Sequence, residues 1–133
     1  MGRRDEAIAL GETLWQSWPG AAAEDGYAQV IGSNLAQAYA RAGRLDDAER
    51  LHREILAVRE RTLGPRDERT LSTYNNLGMT LMKRDRLDEA QSFLGRAASL
   101  RREVLGPDHP KTLGARGNCA VLAFKLGRFA EAA

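Results

Sequence analysis

The sequence predicts an all-α fold, an α-α superhelix in which antiparallel helix pairs stack as a solenoid. Four observations predict it. Thr62-Leu63-Gly64-Pro65-Arg66-Asp67-Glu68-Arg69-Thr70 returns as Val104-Leu105-Gly106-Pro107-Asp108-His109-Pro110-Lys111-Thr112, a spacing of 42 residues. The same register lays Gly43-Arg44-Leu45-Asp46-Asp47-Ala48 on Asp85-Arg86-Leu87-Asp88-Glu89-Ala90 and then on Gly127-Arg128-Phe129-Ala130-Glu131-Ala132. Residues 29–70 and 71–112 share 11 identities in 42 positions, concentrated at turns and at small or apolar positions. Finally, apolar residues recur three and four apart and no segment alternates as a strand does. A fixed period of this length marks a repeat array, whose core is buried between neighbouring units rather than in one globule.

Residues 4–18 are expected to form the first helix, with Ala7, Ile8, Leu10, Gly11, Leu14, Trp15 and Trp18 as one apolar stripe. Pro19-Gly20 stops it, and 21–25 is a small-residue loop. This helix reads as the second member of a partial repeat. A full repeat then covers 26–63: one helix striped by Ala28, Ile31, Leu35, Ala38, Tyr39 and Ala42 and ended by Gly43, and another striped by Leu45, Ala48, Leu51, Ile55, Leu56 and Val58. Gly64 suits a left-handed position just past a helix end, and Pro65 cannot continue the helix.

The next repeat covers 67–105. Asp67 is placed to cap a helix striped by Leu71, Tyr74, Leu77, Gly78, Leu81 and Met82. Asp85 takes the turn position that Gly43 and Gly127 hold, as aspartate can at positive φ. The following helix carries Leu87, Ala90, Phe93, Leu94, Ala97, Ala98, Leu100 and Val104. A partial repeat fills 109–133: Asp108 or His109 caps a helix with Pro110 in its first turn, Gly127 closes it, and a seventh helix opens at Phe129. The chain thus begins and stops within helix pairs, which predicts a piece of a longer array.

The helix pairs resemble tetratricopeptide repeats. From Leu71, the family's first-helix positions fall on Tyr74, Leu77, Gly78 and Leu81, and its second-helix positions on Ala90, Leu94 and Ala97. Gly78 and Ala90 are small because the two helices touch there. Gly32 and His52 stand where the family places aromatics, and Ile55 where it places alanine. The 42-residue period, with its longer second helix and Leu-Gly-Pro turn, resembles the kinesin-light-chain type of this repeat, which is widespread in bacterial regulatory proteins. The resemblance implies a protein-interaction module, not an enzyme, whose first helices line a concave groove.

On that resemblance the groove columns are Asn34, Asn76 and Asn118; Gln37, Met79 and Val121; Ala40, Met82 and Phe124; and Arg41, Lys83 and Lys125, with Asn75 beside them. Asparagine amides both donate and accept, which suits the backbone of an extended peptide. The basic column favours acidic side chains, and Met79, Met82, Val121 and Phe124 offer an apolar floor. A partly acidic peptide with large apolar anchors is the expected ligand, a partner domain the broader one. The asparagines equally suit tying one helix to the next, and the cations suit helix ends, where they complement the dipole. The carboxylate-clamp subtype is excluded, because its basic positions hold Val30, Ser33, Ser72, Asn75, Gly114 and Gly117.

Charge and composition exclude other classes. With 20 basic and 18 acidic side chains intermixed, net charge is +2 and no single-sign run marks a nucleic-acid or membrane surface. No apolar run approaches a membrane span, and Asp5 and Glu6 argue against a signal peptide, so a cytoplasmic location is expected. The single Cys119 cannot form an internal disulfide and takes the column of Leu35 and Leu77 as a small apolar residue. His52, His109 and Cys119 lack metal-ligand spacing, and no phosphate loop, dinucleotide fingerprint or nucleophile elbow is present. No catalytic residue, metal or cofactor is expected. A second reading is architectural: open ends, with Trp15 and Trp18 at one and Phe124 and Phe129 at the other, packing on neighbouring domains or a second copy. A third is a sensor region of a larger regulatory protein.

Overall fold

A computed structural model describes residues 2–17 and 26–132, excepting the side chains of Arg4 and 128–132. The described residues form six helices: α1 Arg3–Gln16, α2 Gly26–Arg41, α3 Leu45–Thr62, α4 Glu68–Lys83, α5 Leu87–Leu105 and α6 Pro110–Ala132. The chain divides into two compact units, Met1–Gly64 and Pro65–Ala133. In the first, α2 packs on both α1 and α3; in the second, α5 packs on both α4 and α6.

The turns follow from local chemistry. Gly64 and Gly106 lie at φ 83 and 96 just past α3 and α5, and Asp85 lies at φ 61 after α4. Asp67 caps α4 by accepting from the Arg69 amide at 2.9 Å. One period later the His109 ring does the same work, its Nδ1 accepting from the Lys111 amide at 3.1 Å. Both side chains satisfy a helix-start N–H that has no partner within the helix. The repeated carboxylates of α3 and α5 also have partners: Arg44 Nε donates to Asp47 at 2.9 Å and Arg86 Nη2 to Glu89 at 2.6 Å.

Close approach explains the small residues. A Cβ on Gly78 would stand 2.6 Å from Leu94 Cγ, so α4 and α5 meet at a point where only glycine fits. Leu77 beside it is fully buried, with Leu71, Tyr74 and Leu81. Leu77→Ala should therefore cost about 2 to 5 kcal/mol in a denaturant titration. A loss under about 0.5 kcal/mol, the range of exposed sites, would refute this packing.

Four expectations need correction. The α1 stripe splits: Ile8 is buried and Trp15 half-buried against α2, whereas Leu10 is 61% exposed, and Ala7 and Leu14 are exposed too. Trp18, Pro19-Gly20 and the 21–25 loop lie outside the described residues. Val104, in the last turn of α5, is 42% exposed instead of joining the stripe. Cys119 is half-buried rather than buried, its thiol donating to the Leu94 carbonyl at 3.4 Å while burial pushes its pKa up. Lastly, Gly127 ends nothing, since α6 continues to Ala132. A mid-helix glycine costs about 1 kcal/mol, but extending an existing helix avoids the nucleation cost that a separate seventh helix would meet.

Candidate peptide-binding face

The residues expected to face a ligand sit on α2, α4 and α6, and all but Met82 are exposed or half-buried. In the first unit, Asn34 and Arg41 are exposed on α2, with Gln37 half-buried between them. In the second, α4 carries Asn75, Asn76 and Met79, all half-buried, and exposed Lys83; α6 carries half-buried Asn118 and Lys125 and exposed Val121. The helices α4 and α6 touch directly. Their contact includes Asn118 Nδ2 donating to Asn75 Oδ1 at 2.8 Å. That bond commits part of two amides to holding helix against helix. Met82, expected on the groove floor, is instead 3% exposed and belongs to the core.

The basic column divides as well. Arg41 and Lys83 lie in the last turns of α2 and α4, where a cation complements the helix dipole. Lys125 is different: α6 runs on for seven residues past it, so the dipole gives no account of its charge.

Away from this face, two buried arginines escaped the sequence reading. In the first unit Arg59 is almost fully buried and its Nε donates to Gln29 Oε1 at 3.0 Å. One period later Arg101 is buried against Glu68, Nη2 to Oε1 at 3.0 Å, and against Ser72 Oγ at 3.1 Å. Lys111 Nζ reaches the same Glu68 oxygen at 3.1 Å. The motif threonine completes the tie, Thr112 Oγ1 donating to the Arg101 carbonyl at 3.2 Å. Glu68, Arg101, Lys111 and Thr112 thus fasten the starts of α4 and α6 to the end of α5. The signal was present, because Arg59 and Arg101 are among the identities shared by the two repeats.

The first unit has its own polar lock. Tyr39 Oη donates to Glu12 Oε2 at 2.6 Å, joining α2 to α1, and the Arg44 guanidinium stands 4.6 Å from the Tyr39 ring centroid. Burial, then the bond to Glu12, pushes the phenol pKa up to about 12. Beside it lies a cleft of about 160 Å³ lined by Trp15, Leu35, Tyr39, Asp47, Arg50, Leu51 and Glu54. Among the described residues no cluster of His, Cys, Asp and Glu could hold a metal, and no helix is long and apolar enough to cross a membrane.

The tetratricopeptide repeat family model matches residues 27–81 and again 69–133. Among solved structures, the chain is similar to a putative kinesin light chain of Podospora anserina with nearly identical tetratricopeptide-like repeats, at TM-score 0.85 and 21% identity. That alignment covers 98% of this chain and 63% of the other. The chain is also similar to BtubC (BKLC) from P. vanneervenii, at TM-score 0.79 and 20% identity, covering 93% of this chain and 49% of that one. It therefore spans from about half to under two thirds of the length of these structures, and at such identities the likeness is one of fold. No curated relative matches the chain. Both neighbours share the all-α helix-pair architecture found in each unit, and the two family matches together run from Tyr27 through the end of α6. The chain belongs to the tetratricopeptide repeat family.

Proposed function

We propose that the chain is a non-catalytic binding module whose first-helix faces take an extended, partly acidic peptide. The tetratricopeptide repeat is generally a protein–protein interaction module, and the proposal concerns which face is used and for what chemistry. One observation carries it: α4 and α6 touch, and Asn76, Met79 and Lys83 on the one and Val121 and Lys125 on the other are all exposed or half-buried, which offers amide, apolar and cationic groups on two neighbouring helices. Lys125 supports it most, because its charge has no helix-end explanation. On α2, Asn34 and Arg41 repeat the amide and the cation, with the polar Gln37 in the position of Met79.

Acidic, basic and neutral extended peptides should be titrated against the native chain and against the Asn76→Ala/Lys83→Glu/Lys125→Glu variant, by fluorescence anisotropy at two salt concentrations. Asn118 is left intact, since its amide holds Asn75. Acidic peptides should bind best, weaken with salt, and lose about tenfold or more in affinity to the variant, equivalent to about 1.4 kcal/mol. Equal binding of acidic and basic peptides, or full retention by an equally helical variant, would refute the reading.

A further inference from the structure

The two repeats treat one aromatic position differently. In the second unit Tyr74 is fully buried on α4, and Arg96 of α5 lies over it, Cζ 5.2 Å from the Tyr74 ring centroid and 6.0 Å from that of Phe93. A guanidinium held over a ring in this way is attracted by the negative face of the ring and stacks on it through its own flat surface. One period earlier Tyr74 corresponds to Gly32, Phe93 to Leu51 and Arg96 to Glu54. An aromatic ring is present here too, because Trp15 of α1 lies over Gly32, but the position of the arginine carries a carboxylate.

In the first unit α1 and α3 both pack on α2, and among the described residues their backbones do not approach each other. The cleft of about 160 Å³ lies here, with residues from all three helices. Leu35, Tyr39 and Leu51 are buried and form its apolar floor, Trp15 of α1 is half-buried, and α3 contributes Asp47, Arg50 and Glu54. Asp47 is already held by Arg44 at 2.9 Å and by Arg50 at 3.6 Å, and the Arg50 side chain is 71% exposed. Glu54 is exposed and, among the described residues, has no ion-pair partner. The cleft therefore sets a tryptophan, an apolar floor and an uncompensated carboxylate together.

We propose that this cleft receives an arginine side chain of a partner protein, its guanidinium stacked on Trp15 and paired with Glu54, its methylene stem on Leu35 and Leu51. The partner supplies from outside what Arg96 supplies from within in the second unit. The occupant is basic because the position that carries the guanidinium there is a carboxylate here. Arginine fits better than lysine because a planar guanidinium stacks on a ring and an ammonium does not. The site goes beyond the peptide-binding face: on α2 it uses Leu35 and Tyr39 instead of Asn34, Gln37 and Arg41, and it favours the opposite charge.

The test is an NMR titration of the whole chain with acetyl-Gly-Arg-Gly-amide and with its lysine and citrulline counterparts, citrulline keeping the planar shape without the charge. The Trp15 indole N–H and the Leu35 and Leu51 methyls should shift at millimolar peptide, most tightly for arginine, less for lysine and least for citrulline. Glu54→Gln should weaken arginine binding about fivefold or more. Glu54→Arg, which repeats the Arg96 arrangement, should abolish it by filling the cleft from within. Position 54 is exposed on α3 and both replacements are good helix formers, so helicity by circular dichroism should be unchanged. Arg50→Ala should bind at least as well as the native chain, having lost a competitor for the carboxylates. The proposal is overturned by an unshifted Trp15, by a citrulline peptide that binds as well as arginine, or by binding that survives Glu54→Arg. Loss of binding in Arg50→Ala would mark an anion site and overturn it as well. Tighter binding of free L-arginine than of the capped peptide would make the occupant a small molecule and overturn the assignment to a partner protein.

Discussion

His52→Leu is expected to abolish most of an acid-induced loss of stability that amounts to about 3 kcal/mol in the native chain. His52 is 2% exposed on α3, and its pKa is lowered from 6.5 to about 4, first by burial and then by the charge of Arg59. The sign follows from proton binding. Above about pH 6.5 the imidazole is neutral whether the chain is folded or unfolded, and it contributes no pH dependence. Between that pH and about 4, the unfolded chain takes up a proton that the folded chain refuses, so stability falls with pH; below 4 the loss is complete. Leucine is the natural replacement because Leu94 stands at the same position one repeat later and is almost fully buried. Carboxylates titrate lower in the same range, so the measured quantity is the difference between native and variant in urea unfolding at pH 7, 5.5 and 4. From pH 7 to 4 the native chain should lose stability relative to the variant by the stated amount. Parallel profiles would mean that His52 is protonated in the folded state, and the packing around it would have to admit water.

Elements with local causes were legible in the sequence. Gly64, Asp85 and Gly106 demanded positive φ, Asp67 demanded a cap, and the 42-residue spacing carried each of these from one repeat to the next. What the sequence did not reveal depends on groups brought from other helices. Arg59 and Arg101 look like two of many surface arginines until Gln29 and Glu68 are seen to receive them. The α1 stripe could not be divided into its covered and bare sides, because periodicity reports an apolar face and not what lies against it. Asn75 and Asn118 belong to different columns of the repeat, so their bond was invisible to a comparison made column by column. Met79 and Met82 differ by three residues on one helix, yet one is half-buried and the other in the core. A residue-type argument cannot separate them.

Gly32→Tyr gives the second large effect, and its direction runs against the repeat pattern. Tyrosine is what the next repeat holds at this position: Tyr74 is fully buried, its ring centroid 6.2 Å from that of Phe93. Replacing glycine within a helix also gains about 0.5 to 1 kcal/mol of intrinsic propensity, so sequence pattern and helix propensity together favour the substitution. The first unit has already filled the space. A Cβ on Gly32 would stand 2.6 Å from Trp15 Cζ3 and 2.9 Å from Ile55 Cδ1, so even alanine requires both neighbours to move. Here the aromatic comes from the preceding helix, and Ile55 stands where the family pattern has alanine. A whole phenol ring should overpack the site by about 3 kcal/mol, which outweighs the propensity gain and leaves the variant less stable. The cause is tested by a double-mutant cycle with Trp15→Ala. Each single change should destabilise, one by crowding and the other by leaving a gap. Combined, the new ring occupies the vacated volume, and the double variant should be more stable than the sum of the two losses by about 1 to 3 kcal/mol. Additive losses would show that Trp15 does not occupy that space, and the exchange of aromatic between α1 and α2 would be wrong.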